Sequence, residues 1–113
     1  MKSNASKIEQ HAQSLHEDEV LGSCTRVEHL TDRKSATIVG TISSLIVRPS
    51  VGVRSLEAEV EDGTGHVVVV WLGRRRIVGV VPGADIEITG LMSRDVKGWR
   101  TFNPTYRLLS VSR

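Results

Sequence analysis

Residues 56–72 read LEAEVEDGTGHVVVVWL, and this stretch decides the fold. In residues 56–61 apolar and acidic side chains alternate, which is typical of a strand with one buried and one exposed face. Asp62-Gly63 with Gly65 then predicts a tight turn. Residues 66–72 are apolar at both parities, which indicates a more deeply buried strand. The stretch therefore predicts a β-hairpin.

The segment before the hairpin predicts a long, bent first strand. In residues 36–42, every second side chain is apolar or absent, which suits a barrel interior: Ala36, Ile38, Gly40 and Ile42. We expect a bend at Gly40, because a closed sheet requires its first strand to pair with two neighbours. Residues 48–54 include Pro49 and Gly52 and predict a loop into the second strand.

The segment after the hairpin predicts two further strands. Residues 84–94 alternate again and form the fourth strand, a turn follows at residues 95–98, and residues 99–111 form the fifth. Residues 73–83 connect strands three and four. We expect the apolar residues of this connection to plug one end of the barrel as a single helical turn: Ile77, Val78, Val80 and Val81.

Five short strands with these turns predict an all-β chain closed into a barrel. We expect one core formed by Ile38, Ile42, Val60, Val69, Ile86 and Ile88. The folded domain spans residues 25–113, and residues 1–24 form an N-terminal arm that is a short helix or disordered. Ser6 and Glu9 have the spacing of a helix capping box, but the apolar stripe behind them is thin.

The chain has 113 residues, and its charge is distributed unevenly. Residues 1–33 contain four basic and six acidic side chains, whereas residues 34–113 contain eleven basic and seven acidic ones. An electropositive second half is expected of a phosphate-binding surface. The single Cys24 cannot form an internal disulfide, and no apolar run approaches the length of a membrane helix. We therefore expect a cytoplasmic protein without a membrane partner.

Several segments in order resemble an OB-fold nucleic-acid-binding domain. They are residues 39–42 (VGTI), residues 56–65 (LEAEVEDGTG) and residues 82–90 (PGADIEITG). Within that superfamily the chain is most similar to the wedge domain of the RecG branch-migration helicase, whose start and end also fit residues 25–30 and 103–106. The resemblance covers about residues 25–110.

The resemblance implies a five-stranded Greek-key barrel and a stand-alone protein of the small actinobacterial type. It implies binding of nucleic acid, with DNA, single-stranded or branched, as the expected partner. It does not imply helicase activity, because the sequence contains no phosphate-binding Gly-Lys-Ser/Thr loop.

Basic residues on the loops and the last strand are the candidate binding residues. In OB folds the loops joining strands one to two and four to five flank the ligand groove, and arginine is the usual contact to phosphate. Trp99 lies beside the turn before strand five, where we expect its ring to stack on bases. The predicted nucleic-acid-binding residues are Arg48, Arg54, Arg74, Arg75, Arg76, Arg94, Lys97, Trp99 and Arg100.

The other aromatic residues have alternative interpretations. Trp71 ends the buried third strand, so we expect it in the core or at the barrel rim. Phe102 and Tyr106 share a parity with Leu108, and their placement inside or outside the barrel stays open at this stage.

The second strand supports an alternative function. Glu57, Glu59 and Glu61 would line its outer face, where three like charges repel phosphate. Either the ligand passes over the loops and strand five, or the barrel is a protein–protein interaction module. We expect no enzyme, metal or cofactor, because the sequence marks no nucleophile–base pair and its His and Cys residues lack ligand spacing.

Overall fold

A computed structural model describes residues 24–49 and 52–109 of the protein. A short 3-10 helix, Val27–His29, precedes the strands. The strands are β1 (Lys34–Arg48), β2 (Ser55–Glu61), β3 (His66–Leu72), β4 (Asp85–Asp95), β5 (Gly98–Phe102) and β6 (Thr105–Leu108). The predicted N-terminal arm, apart from Cys24, lies outside the described residues, as do residues 50 and 51 of the predicted loop.

The strands form one closed sheet. Their order is β1-β2-β3-β5-β4, and β1 also pairs with β4, which closes the ring. The β3–β5 pair is parallel and the others are antiparallel. β6 pairs with β4 through residues 86–89. The prediction of an all-β barrel is confirmed. Within residues 24–49 and 52–109 no helix is long and apolar enough to span a membrane.

β1 is shared between two neighbours, as its length predicts. Its first half pairs with β4, its second half pairs with β2, and Thr41 belongs to both registers. At Gly40 the strands approach so closely that a Cβ atom would lie 2.9 Å from the carbonyl carbon of Glu61 and from Cγ1 of Val60. A side chain does not fit there, so glycine permits the β1–β2 crossing. The register shifts between Ile42 and Ser44, which adds to the bend.

The core is the one that the alternation predicts. The inward side chains have no solvent exposure and belong to one cluster: Ile38, Ile42, Val60, Val69, Ile86 and Ile88. The connection between β3 and β4 plugs one end only in part, since Ile77 and Val80 are buried while Val78 and Val81 are exposed. It contains a turn rather than a helix, in which the N–H of Val80 donates to the carbonyl of Ile77 at 3.0 Å.

The predicted single strand at residues 99–111 is wrong. Asn103 has a φ of 48°, and Pro104 follows without an N–H group, so the strand is interrupted. Asn103 also fixes this interruption against β3, because its N–H donates to the carbonyl of Val70 at 2.7 Å and its Oδ1 accepts from the N–H of Leu72 at 2.9 Å. The chain thus leaves β3 after β5 and continues along β4 as β6.

Candidate nucleic-acid interface

The outer face of the barrel can be reconstructed from the strand registers. β2 and β3 point alternate residues into the core, so the intervening ones face outward. One row across four strands consists of Ser44, Glu59, Val68 and Arg100. The next row consists of Ile46, Glu57, Val70 and Phe102. A third row holds Arg48, Ser55 and Leu72. We call the surface formed by these three rows the outer face.

A first cleft lies at the edge of the outer face beside the β4–β5 turn. It has a volume of about 420 Å³ and lies between the 3-10 helix, the turn after β2 and the β4–β5 turn. Arg94 and Lys97 are its basic residues, and Trp99 forms part of its wall. Three predicted site residues therefore line one cavity.

Trp99 is held in this wall rather than projecting freely. Its side chain packs against the hydrophobic core, and the Arg94 guanidinium carbon lies 5.7 Å from the ring centroid. This distance is within cation–π range. The N–H of Arg94 donates to Oδ1 of Asp32 at 2.9 Å, which fixes the end of β4. One face of the indole is thus already occupied by a protein cation.

A second cleft of about 240 Å³ runs along the outer face and continues the first. Arg48 and Arg100 line it together with Ile46 and Val68. Lys97 and His66 line both clefts. The two clefts therefore adjoin at these residues. Their combined lining extends from the end of β1 to the β4–β5 turn, and we call it the basic band.

The acidic side chains of β2 have an arginine, a histidine and a serine as neighbours. Glu57 forms an ion pair with Arg48, with 3.0 Å between Oε2 and Nε. His66 lies 3.6 Å from Glu59 and 3.9 Å from Glu61. The Ser43 hydroxyl also donates to Glu59 at 3.2 Å. Arg48 therefore compensates the charge of Glu57, whereas His66 compensates Glu59 and Glu61 only when its ring is protonated.

The remaining predicted arginines gather at the end of β3 that is farther from the β4–β5 turn. Arg74, Arg75 and Arg76 follow β3 and are exposed. The N–H of Gly73 donates to the carbonyl of Arg54 at 2.6 Å, which joins this loop to the one preceding β2. The predicted residues thus form two groups. One lies at the basic band, and the other contains Arg54 and residues 74–76, which we call the distal arginines.

The structure places the three other aromatic residues, one in the core and two at the surface. Trp71 is buried, as expected, and meets Tyr106 edge to face with 5.6 Å between ring centroids. Phe102 and Tyr106 are both exposed. Sequence reasoning did not include Phe102 among the site residues. The signal that identifies it is the pairing of Val70 with Phe102, which places that ring on the outer face.

Fold and surface together define a small all-β barrel with a basic, partly apolar band across one face. No protein-family model matches the chain, and no curated protein matches it. Among solved structures, the barrel resembles a domain of RecG bound to a three-way DNA junction. The TM-score is 0.65 and the identity 19%, over 75% of this chain and 12% of that one. The likeness thus covers a small part of the RecG chain.

A second similar structure is an OBody, AM1L10, bound to hen egg-white lysozyme. Its TM-score is 0.53 and its identity 15%, over 81% of this chain and 98% of that one. At these identities the two likenesses establish a shared fold.

Proposed function

We propose that this chain is a cytoplasmic OB-fold protein that binds nucleic acid without catalysing a reaction. DNA with single-stranded or branched segments is the proposed ligand. The observation that supports this most directly is the basic band, in which Arg48, Arg94, Lys97 and Arg100 line two adjoining clefts. OB folds bind oligonucleotides on the face of strands two and three, between the loops that flank this groove.

The charge of the groove suits a phosphate backbone. Lys97 is exposed at the junction of the two clefts, and Arg94 is exposed at the first. The side chain of Arg100 is 24% exposed, and it forms a long ion pair of 3.9 Å with Asp95. A cation with a long or solvent-exposed ion pair can exchange its partner for phosphate at little cost, because surface ion pairs contribute about 0–1 kcal/mol.

The RecG likeness supports the choice of DNA. The similar domain belongs to a protein whose structure was solved on a three-way DNA junction. Two proteins of the same fold need not bind the same ligand. The proposal therefore depends on the basic band, and the likeness only suggests branched DNA as a ligand to test.

The test is a fluorescence-anisotropy titration with single-stranded DNA, duplex DNA and a three-way junction at several salt concentrations. We expect binding that weakens steeply with salt, because each neutralised phosphate of a single strand releases about 0.7 counterions. Lys97→Ala should weaken binding severalfold and reduce the slope of log K against log salt by about 0.7. Lys34→Ala is the matched control, since Lys34 is an exposed lysine on β1 opposite Met92.

The alternative is a protein-interaction module. The OBody structure, a barrel of similar fold bound to a protein, and the acidic residues of β2 favour it. Wild-type protein that binds none of the three DNAs at low salt would overturn the nucleic-acid proposal in favour of this alternative. Equal effects of Lys97→Ala and Lys34→Ala would remove the basic band from the binding site.

A further inference from the structure

Phe102 is an aromatic side chain displayed on the outer face. Thr101 is fully buried and Trp99 packs against the core, so the alternate residues of β5, Arg100 and Phe102, point outward. The Phe102 side chain is 52% exposed. Among the described residues of the three rows that define the outer face, it is the only Phe, Tyr or Trp.

The surface beside the ring is apolar. Val70, the neighbour of Phe102 across the parallel β3–β5 pair, also points outward but is only 3% exposed, so surrounding side chains cover it. Ile46 in the same row and Leu72 in the next are about half exposed, at 46% and 47%. An isolated exposed phenylalanine is ordinary, whereas a ring on an apolar floor offers a flat surface to a planar ligand.

The one charge in the row of Phe102 is compensated. Glu57 lies between Ile46 and Val70, and its side chain is 13% exposed. Its carboxylate is bound by Arg48 at 3.0 Å. An anionic ligand over this row therefore meets an ion pair rather than a free carboxylate.

Cations lie on both sides of the ring along the strand direction. Arg100 precedes Phe102 by two residues on the same face, a separation of about 7 Å. In the other direction, Leu72 is followed within four residues by Arg74, Arg75 and Arg76. A nucleotide whose base covers Phe102 would thus have basic groups on either side for its flanking phosphates.

We propose that Phe102 is a base-stacking residue for single-stranded nucleic acid. An unpaired base lies on its ring and contacts the apolar floor, while Arg100 and the distal arginines bind the neighbouring phosphates. The inference rests on the proposed function and narrows its ligand to strands with unpaired bases, since bases inside a duplex are already stacked on both faces. Trp99, with Arg94 against its ring, serves as a wall of the first cleft.

The test compares a fluorescent oligothymidine with an abasic strand of the same length, which keeps the phosphates and lacks the bases. Phe102→Ala should weaken binding to oligothymidine by about tenfold, the scale of losing one stacked base, and leave binding to the abasic strand unchanged. Phe102→Tyr should retain binding to both. Leu91→Ala is the control, because it removes a 57% exposed apolar side chain on β4 that pairs opposite Ser35, outside the outer face.

The outcomes separate the two proposals. Wild-type protein that binds neither these strands nor the three-way junction overturns the proposed function, whereas binding to the junction alone overturns only the stacking proposal. Wild-type binding that Phe102→Ala leaves unchanged, or weakens equally on both strands, overturns only the stacking proposal. If Phe102→Ala fails to fold, photo-crosslinking of wild-type protein to 5-iododeoxyuridine strands decides the question. Mass spectrometry should then locate the crosslink at Phe102, and a crosslink at Trp99 instead would contradict the proposal.

Discussion

At the scale of single residues, Asp62 holds the hairpin and the lead-in segment together. It has no solvent exposure. Its Oδ1 accepts from the N–H of Thr64 at 2.9 Å and of Gly65 at 3.2 Å, and also from the Thr64 hydroxyl at 2.7 Å. Its Oδ2 accepts from the N–H of Val27 at 2.8 Å. One carboxylate therefore fixes the turn after β2 and attaches the 3-10 helix to it.

Replacing this carboxylate should destabilise the fold. Asp62→Asn puts an amide N–H₂ where an acceptor is required, so at least one buried backbone N–H loses its partner. We expect a loss of about 1–3 kcal/mol in the free energy of unfolding, measured by urea denaturation. Asp95→Asn is the control, because Asp95 accepts from the N–H of Lys97 in an exposed turn. Equal losses in the two variants would contradict the role of Asp62.

The identity of the exposed ring could not be predicted from local sequence. Residues 99–102 present an aromatic residue at each parity, Trp99 and Phe102, so alternation alone does not say which faces inward. Trp99 faces inward because it pairs with Val67, whose side chain points into the core. That partner lies about thirty residues earlier in the chain, and the register between them is a tertiary property.

At the scale of elements, the sequence predicted β1 to β4 well and the C-terminal strand poorly. Alternation and turn residues gave nearly the observed bounds of β2 and β3, because each faces the core on one side and meets a tight turn. The interruption at Asn103-Pro104 has a local signal, since proline seldom occupies a strand interior. Its position depends on the bond between Asn103 and Leu72, which the sequence alone does not reveal.

Asn103 should be sensitive to substitution for two reasons. Asn103→Ala removes the acceptor for the N–H of Leu72. It also places alanine at a φ of 48°, a conformation that asparagine adopts more readily because its side chain can form local hydrogen bonds. We expect a loss of about 1–3 kcal/mol in the free energy of unfolding. Asn103→Gly tolerates the φ angle and should lose less. A larger loss for glycine than for alanine in chemical denaturation would refute this account.

At the scale of the whole molecule, positive charge is placed at both ends of β3. Lys97 and Arg100 of the basic band lie at one end, and Arg74, Arg75 and Arg76 follow Leu72 at the other. β3 has seven residues, so these ends lie about 20 Å apart. A single strand running along β3 over Phe102 could contact both groups at once.

This arrangement predicts an effect of the distal arginines that does not depend on base sequence. Replacing Arg74, Arg75 and Arg76 by alanine should lower affinity for all single strands alike and reduce the salt slope by up to about 2, because each lost phosphate contact removes about 0.7 counterions. Salt titrations with two oligonucleotides of different sequence provide the measurement. An unchanged slope would show that the bound strand does not reach this end of β3.

The ring closure described above also has a consequence for how the chain acquires its structure. Paired residues of β1 and β4 are separated by about fifty positions in the sequence, and those of β3 and β5 by about thirty. Such a high contact order is associated with folding in milliseconds to seconds rather than microseconds. During synthesis the β1–β2–β3 meander emerges first, with the edge of β3 unpaired until residues 98–102 leave the ribosome. The barrel therefore completes itself late, and a nascent chain stalled before β5 would display an adhesive strand edge to chaperones or to other copies.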